Sequence, residues 1–145
     1  LAAVIGHEVA HVKARHGAER LSMNMGVQTV SQLLSAGLQG SEYQGLAVQA
    51  LAIGSNVGVL LPYSRTHESE ADAMGIAMMA QAGFNPEAGV SLWQKMAKLG
   101  QSSPEFLSTH PIHQTRISDL ESNMSQAMTW YQNAKASGKN PSCSL

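Results

Sequence analysis

The chain has 145 residues with a formal net charge of −1, and 13% of its residues are charged. This length suits one domain of ordinary size that can bury a core. The nearly neutral charge offers no basic surface to attract nucleic acid or acidic lipid. The single cysteine, Cys143, excludes an intrachain disulfide and a structural zinc cluster of cysteines.

The hydrophobic spacing predicts a mainly α fold, because apolar residues recur at helical intervals and no alternating run of strand type occurs. In chain order the predicted helices cover residues 1–34 with a bend at Gly26, 46–60, 65–82, 86–99 and 113–136. We predict one domain over residues 1–136, followed by a flexible tail over 137–145. Since the chain starts at Leu1 with a helix already under way, we interpret it as a fragment or processed product that is truncated at its N-terminus.

Glycine and proline mark the ends of these helices. Gly37 and Gly40 follow the first helix, and Pro62 is expected to stop the second because proline cannot continue a helix. Gly83 is expected to terminate the third helix. Asn85 followed by Pro86 predicts the start of the fourth, with a capping side chain and a first-turn proline.

Two uncharged stretches, Leu21–Ser41 and Tyr43–Ser64, approach the length of a membrane span. Both are interrupted by Gln, Ser, Asn and Gly, which lowers their hydropathy. We therefore predict buried helices here rather than transmembrane segments.

The strongest chemical motif is GHEVAH at residues 6–11. Four residues of α-helix rotate by about 400°, so His7 and His11 lie about 40° apart on one face and can reach one ion. Two imidazoles and an open position for water suit a catalytic Zn²⁺. Glu8 lies beside that face, where its carboxylate can act as the base.

Two histidines leave such a metal one protein ligand short. In HESEADAMG, Glu68 and Asp72 are four residues apart and share a helix face, and Gly75 on that face lets a neighbouring helix approach. We predict that Glu68 binds the metal and that Asp72 accepts a hydrogen bond from a ligand histidine, His7 in the first place. The alternative is a solvated acidic face without a metal, since most acidic residues are exposed.

Three motifs in order, GHEVAH, YSRTHESEADAMG and STHPIHQTR, resemble the zinc metallopeptidases of the HtpX and CAAX prenyl protease type, family forty-eight of the metallopeptidases. Within that family the likeness is greatest to soluble periplasmic BepA-like members and their mitochondrial inner-membrane relatives. The resemblance covers Leu1 to about Leu120. It implies a gluzincin-like helical fold in which His7, His11 and Glu68 bind one Zn²⁺ and Glu8 is catalytic. It also implies a small β-sheet, with a substrate-binding edge strand, that precedes the HExxH helix and is missing here.

The resemblance further implies an endopeptidase that hydrolyses peptide bonds in protein or peptide substrates, among them misfolded proteins of the cell envelope. Its expected location is the periplasm or cell envelope. A second hypothesis is a metal-stabilised chaperone or binding module whose protease activity is latent. A third is a helical interaction domain without metal.

His110 stands before Pro111, which holds the preceding residue extended. By resemblance this histidine lies at the active site, where it either stabilises the tetrahedral intermediate or caps the zinc in a resting state. A plain surface histidine is the alternative. Arg116 matches the arginine of the family motif, and it is expected to bind a backbone carbonyl or to pair with Asp72.

The remaining candidates are interpreted structurally. His16 lies about 180° from His7 on a continuous helix and is expected to be structural, whereas His67 and His113 are expected at the surface. Tyr63 is expected either to donate to an oxyanion or to pack. The methionines are interpreted as core filler, as are the aromatic residues Trp93, Trp130, Phe84 and Phe106.

Overall fold

The structure is a computed structural model that describes residues 1–98, 110 and 114–142. All regular structure in this part of the chain is helical, so the mainly α prediction is confirmed. The helices are α1 (Ala2–Lys13), α2 (His16–Gly37), α3 (Gln44–Ser55), a π-helical turn (Asn56–Leu60), α4 (Leu61–Gln81), α5 (Glu87–Lys98), α6 (Gln114–Ser122) and α7 (Met124–Ala136). They form two compact units, a first unit of Leu1–Ala14 with Glu68–Leu145 and a second unit of Arg15–His67.

The hydrophobic core of the first unit lies among α4, α5, α6 and α7. Helices α4 and α5 each contribute two buried apolar side chains about one turn apart, which is how an amphipathic helix buries one face, and α6 and α7 contribute one each. These side chains are Ile76, Ala80, Val90, Trp93, Leu120 and Ala127. Half-buried Trp130 packs against this cluster, whereas Phe106 lies outside the described residues.

The contact between α1 and α4 depends on two glycines. A Cβ atom added to Gly75 would lie 2.9 Å from the backbone nitrogen of His7, and one added to Gly6 would lie 2.8 Å from the carbonyl oxygen of Gly75. The two helix backbones are therefore so close at this crossing that neither position has room for a Cβ atom. The acidic helix face predicts the close approach at Gly75, whereas no sequence pattern indicated the one at Gly6.

Two helix boundaries follow the sequence signals. Gly83 has φ +90° after the last turn of α4, the left-handed conformation that glycine adopts without strain, so its predicted role as a helix stop is confirmed. The Asn85 side chain accepts a hydrogen bond from the Glu87 backbone nitrogen at 3.0 Å, which confirms the predicted cap of α5.

The segment after α7 reaches back to the end of α4. Lys139 Nζ donates to the carbonyl oxygen of Gln81 at 2.9 Å, and Gly83 lies close to the Lys139 backbone. The described part of the segment, which ends at Ser142, therefore contacts the end of α4 through Lys139. The flexibility expected for residues 137–145 stays a prediction.

Three predicted boundaries are wrong. The first helix breaks not at Gly26 but at Arg15, which adopts a left-handed φ of 61° between α1 and α2. Pro62 does not stop a helix. It follows the π-helical turn within the continuous helical run Gln44–Gln81, where the regular α-helical hydrogen-bond pattern that a proline disrupts is already interrupted. The last helix divides at Asn123 into α6 and α7.

The second unit consists of α2, α3, the π-helical turn and the start of α4. Gln44 Nε2 donates to the backbone carbonyl and the hydroxyl of Ser35, and these bonds join α3 to α2. The prediction that the two uncharged stretches are buried is wrong. No residue of α3 or of the π-helical turn is buried, and His16 is the one buried residue of α2.

Among the residues that the structure describes, the continuous helical run Gln44–Gln81, made of α3, the π-helical turn and α4, is long and apolar enough to cross a membrane, with a mean hydropathy of 1.5 over its most apolar window.

Candidate metal centre

The histidines of the HExxH motif lie side by side on α1. His7 is 1% exposed, and its Nε2 atom lies 3.1 Å from His11 Nε2. Helix α1 buries this face with Gly6 and Ala10, whereas the apolar residues Ile5 and Val12 of the opposite side are exposed. The helix therefore directs its histidines, rather than its largest apolar side chains, into the first unit.

Helix α4 directs Glu68 towards the same two histidines. Glu68 Oε2 lies 3.4 Å from His7 Nε2, and Glu68 Oε1 lies 3.2 Å from His11 Nε2. Glu68 and Asp72 are each only 3% exposed. The alternative of a solvated acidic face is therefore wrong.

His110 completes the group. Its Nδ1 atom lies 3.0 Å from Glu68 Oε1 and 3.3 Å from His7 Nε2. Its side chain is 17% exposed, so the alternative of a plain surface histidine does not hold. Nitrogen or oxygen atoms of His7, His11, Glu68 and His110 all lie within 4.8 Å of one another.

The spacing of these atoms suits a small tetrahedral ion. Ligands at ~2.0–2.2 Å from a tetrahedral Zn²⁺ lie ~3.3–3.6 Å apart. Five separations within the group run from 3.0 to 3.4 Å, and all of its ligand atoms lie within 4.8 Å of one another. Three imidazoles and one carboxylate also match the ligand types that Zn²⁺ prefers, so the residues present fit a zinc ion.

Asp72 determines which ring nitrogen of His7 is available. Asp72 Oδ1 lies 2.9 Å from His7 Nδ1, and a carboxylate can only accept, so the proton of the neutral ring is assigned to Nδ1. Nε2 then presents a lone pair to the centre of the group. A hydrogen bond of this kind orients a ligand imidazole and raises its basicity.

Arg116 links the two acidic residues beneath the histidines. Its Nε atom donates to Asp72 Oδ2 at 2.6 Å, and its NH1 group lies 2.9 Å from Glu68 Oε2. The same NH1 group also donates to the backbone carbonyl of His110 at 3.5 Å. Both interactions that the sequence left open for Arg116 are thus present.

Trp93 of α5 is part of this arrangement, and sequence reasoning placed it only in the core. The Arg116 guanidinium lies 4.6 Å from the centre of its ring, and the His7 ring meets it edge-on at 5.4 Å between ring centres. A cation above the face of tryptophan is a favourable contact when desolvated. No spacing rule relates residue 93 to residues 7 and 116, so the sequence carried no signal for this contact.

The charges of the centre shift the pKa values of its acids and bases. Burial by itself lowers the pKa of His7, but hydrogen bonds and charges from Asp72 and Glu68 outweigh burial and raise that pKa above the ordinary 6.5. Burial by itself raises the pKa of Glu68. Hydrogen bonds from both motif histidines and the charge of Arg116 hold the pKa of Glu68 well below its usual value.

Glu8 lies beside the group rather than in it. Its side chain is 49% exposed, and Glu8 Oε1 lies 3.5 Å from His110 Nε2. The glutamate is therefore open to solvent and within reach of a small molecule at the centre.

The other histidines lie elsewhere. In the second unit His16 stacks on His67 with 4.0 Å between ring centres, and His67 Nε2 lies 2.9 Å from Glu19 Oε2. The predicted structural role of His16 agrees with its burial, whereas the surface prediction for His67 is wrong because it is 8% exposed. The Tyr63 hydroxyl donates to Glu19 at 3.4 Å. The surface prediction for His113 lies outside the described residues.

Residues 1–124 match the family model described as peptidase family M48. The chain belongs to this family. It is 40% identical over 130 residues to the mitochondrial metalloendopeptidase OMA1 of Schizosaccharomyces pombe, covering 88% of this chain and 37% of that protein. It is 34% identical to the Arabidopsis thaliana protein of the same name, covering 94% of this chain and 27% of that protein. It is 30% identical to the beta-barrel assembly-enhancing protease of Yersinia pestis, covering 87% of this chain and 27% of that protein.

The M48 chain thus spans about a quarter to two fifths of the length of these relatives. No solved structure matches it significantly. Membership of the family agrees with the resemblance that the three sequence motifs carried.

Proposed function

We propose that this chain is the catalytic part of a zinc-dependent endopeptidase. The observation that carries the proposal is the convergence of His7, His11 and Glu68 on one point, with the exposed carboxylate of Glu8 beside it. The relatives are named as a metalloendopeptidase and a protease, and these names support peptide-bond hydrolysis as the reaction class.

A zinc ion held by His7, His11 and Glu68 would supply a Lewis acid for the scissile carbonyl and lower the pKa of a bound water. Glu8 accepts the proton of the attacking water and passes it to the leaving nitrogen. Asp72 keeps the His7 ring in the tautomer whose Nε2 lone pair faces the centre. Arg116 keeps Glu68 ionised, so that its oxygens stay available as ligands.

The position of His110 is compatible with two roles in this centre. Its Nδ1 atom lies 3.3 Å from His7 Nε2 and 3.0 Å from Glu68 Oε1, so it could serve as a further ligand of a bound ion, which favours a resting state in which water is displaced. If instead the histidine turns aside when substrate binds, its ring can donate to the oxyanion of the tetrahedral intermediate. The first role corresponds to a latent protease or to a metal-stabilised chaperone module.

Replacing Glu8 by glutamine tests the proposed reaction. We expect casein cleavage to fall by about 10²–10⁴-fold, the range for loss of a general base, while bound zinc stays near one ion per chain. The matched control is Glu121→Gln at an exposed position of α6, which should keep full activity. Unchanged cleavage by Glu8→Gln would refute the assignment of the base.

Replacing His110 by alanine separates its two roles. If His110 caps the centre, His110→Ala should raise cleavage above the wild-type rate. If it stabilises the oxyanion, cleavage should fall by about 10²–10³-fold. Chaperone activity that survives in Glu8→Gln, measured as suppressed aggregation of a denatured protein, would favour the binding module over the protease.

Our proposals for the substrates and for the cellular location depend on the names of the relatives. We propose protein substrates and, from the name beta-barrel assembly-enhancing protease, a role in the quality control of cell-envelope proteins. The name mitochondrial metalloendopeptidase favours a mitochondrial location instead. Fractionation of the source cells with an antibody against this chain would separate a periplasmic from a mitochondrial protein.

A further inference from the structure

The ring of Trp93 lies against two groups of the metal centre that belong to different helices. The Arg116 guanidinium of α6 lies 4.6 Å from the centre of this ring, and the His7 ring of α1 lies 5.4 Å from it at an angle of 68°. Trp93 is 3% exposed and Arg116 is 1% exposed, so both are removed from solvent. The proposed reaction assigns no part to this tryptophan.

The hydrogen-bonding edge of the Arg116 guanidinium is directed at two buried carboxylates. Its Nε atom and its NH2 group donate to the two oxygens of Asp72 at 2.6 and 2.8 Å, and its NH1 group lies 2.9 Å from Glu68 Oε2. These contacts lie close to the plane of the guanidinium, because its N–H bonds lie in that plane. They orient the group within its plane and leave it freer to tilt out of the plane.

Trp93 gives the same guanidinium a contact of another kind. The central carbon of the guanidinium lies over the ring at 4.6 Å, within the range of about 6 Å for a cation–π contact. Tryptophan binds a cation more strongly than the other aromatic residues, and the contact strengthens when the cation is desolvated, as Arg116 is. The ring therefore limits the movement that the carboxylate contacts leave.

Arg116 acts in turn on two metal ligands of different helices. Its NH1 group lies beside the carboxylate of Glu68. The carboxylate of Asp72, which accepts from Nε and the NH2 group, also accepts the hydrogen bond of His7 Nδ1 at 2.9 Å. A displaced guanidinium would thus affect Glu68 directly and His7 through Asp72. Replacing a partner of metal ligands typically lowers metal affinity by about 10–100-fold.

The alternative is that Trp93 serves the hydrophobic core alone. In that case its replacement would lower stability, but a variant that stays folded would keep its metal affinity. Trp130 packs against the same core, and in the described part of the chain its ring contacts neither Arg116 nor His7. The two tryptophans therefore separate a core role from a role at the metal centre.

We propose that Trp93 is a positioning residue of the metal centre, whose ring holds the Arg116 guanidinium against the two buried carboxylates. Through these carboxylates it keeps His7 and Glu68 in the arrangement that binds zinc. The inference rests on the proposed function, because it concerns the affinity of the same zinc site. It assigns Trp93 no contact with the metal or with substrate.

Zinc affinity of the full chain, measured by competition with a chromogenic chelator, tests this role. Trp93→Leu should bind zinc at least about tenfold more weakly than the wild type. Trp93→Phe should lie between the two, because a phenyl ring offers a cation a weaker face. The matched control, Trp130→Leu, loses a tryptophan of the same core and should bind zinc like the wild type. Circular dichroism shows which variants are folded, and if Trp93→Leu is not, Trp93→Phe is compared with Trp130→Phe.

A double-mutant cycle asks whether Trp93 acts through Arg116. The variant Arg116→Met removes the cation but keeps an unbranched side chain. In this background Trp93→Leu should lower zinc affinity by a much smaller factor than in the wild-type background, because the group that the ring holds is gone. An equal factor in both backgrounds would show that the two residues act independently and would overturn the proposal.

Cobalt bound in place of zinc reports ligand geometry, which a loss of core packing alone would leave unchanged. The visible absorption bands of Co²⁺ should shift or change in intensity in Trp93→Leu and should match the wild type in Trp130→Leu. Wild-type zinc affinity in both Trp93→Leu and Trp93→Phe would overturn this role of Trp93 while leaving the zinc site itself in place. A wild-type chain that binds no zinc would instead overturn the proposed function and this inference together.

Discussion

Replacing Gly75 by alanine tests the crossing of α1 and α4, on which the metal centre depends. The added Cβ would lie 2.9 Å from His7 N and 3.0 Å from the Gly6 carbonyl carbon, both backbone atoms that cannot rotate away. Ordinary contacts begin near 3.5 Å, so the two helices must separate by about 0.5 Å or more. Overpacking of this kind costs about 1–3 kcal/mol of folding free energy.

The same displacement should weaken the metal site. His7 and His11 lie on one of these helices and Glu68 on the other, whereas metal–ligand distances tolerate only about ±0.2 Å. We therefore expect Gly75→Ala to lower the free energy of unfolding by about 1–3 kcal/mol and zinc affinity by at least about tenfold. Chemical denaturation followed by circular dichroism and competition with a chromogenic zinc chelator measure the two effects.

Gly89→Ala is the matched control for this prediction. Gly89 is also a buried helical glycine of the first unit, but an added Cβ would meet its nearest neighbours, Ala3, Met79 and Ile76, at 3.7–3.9 Å, an ordinary contact. Alanine should therefore be neutral or stabilise by about 0.5–1 kcal/mol through its helix propensity. The reasoning is refuted if Gly75→Ala unfolds like Gly89→Ala and binds zinc as tightly as the wild type.

Three further predictions concern the surroundings of the centre. Asp72→Asn should weaken zinc binding by about 10–100-fold because it removes the charged acceptor that orients His7, whereas Glu121→Gln at an exposed position of α6 should leave the chelator titration unchanged; equal affinities would contradict the role of Asp72. Trp93→Ala should lower the free energy of unfolding by about 3–5 kcal/mol, measured by denaturation of the metal-free chain; a loss within about 0.5 kcal/mol would show that Trp93 is not packed as described. The raised pKa of His7 stabilises the metal-free fold below pH 6.5, and this stability is lost as the pH rises through the folded pKa. The lowered pKa of Glu68 stabilises it above pH 4.5, and that contribution is lost as the pH falls. The melting temperature of the metal-free chain should therefore be highest between about pH 4.5 and 6.5. Addition of zinc should raise the melting temperature by an amount that grows from about pH 6 to 8, because zinc competes with the proton on His7.

Local features were predictable because they depend on neighbours along the chain. The spacing of His7 and His11 places both on one side of any α-helix, whatever the rest of the chain does. Gly83 and Asn85 mark helix ends through their own backbone and side-chain chemistry. The exception was Pro62. A proline ordinarily ends a helix in its interior, but here it follows a π-helical turn inside a continuous helical run, and the sequence carries no signal for that turn.

The amino-acid sequence by itself thus determined a helical chain with two histidines at the spacing of metal ligands, a neighbouring glutamate and an acidic helix face that could complete a site. The tertiary structure alone decided that the Nδ1 atom of His110 lies within 3.3 Å of His7 Nε2, that the Trp93 ring packs against the Arg116 guanidinium, and that helix α3 has no buried residue. The physical reason is that ligand geometry and burial depend on where distant segments pack. A hydrophobic pattern reports which residues avoid water but does not report whether protein or lipid replaces that water.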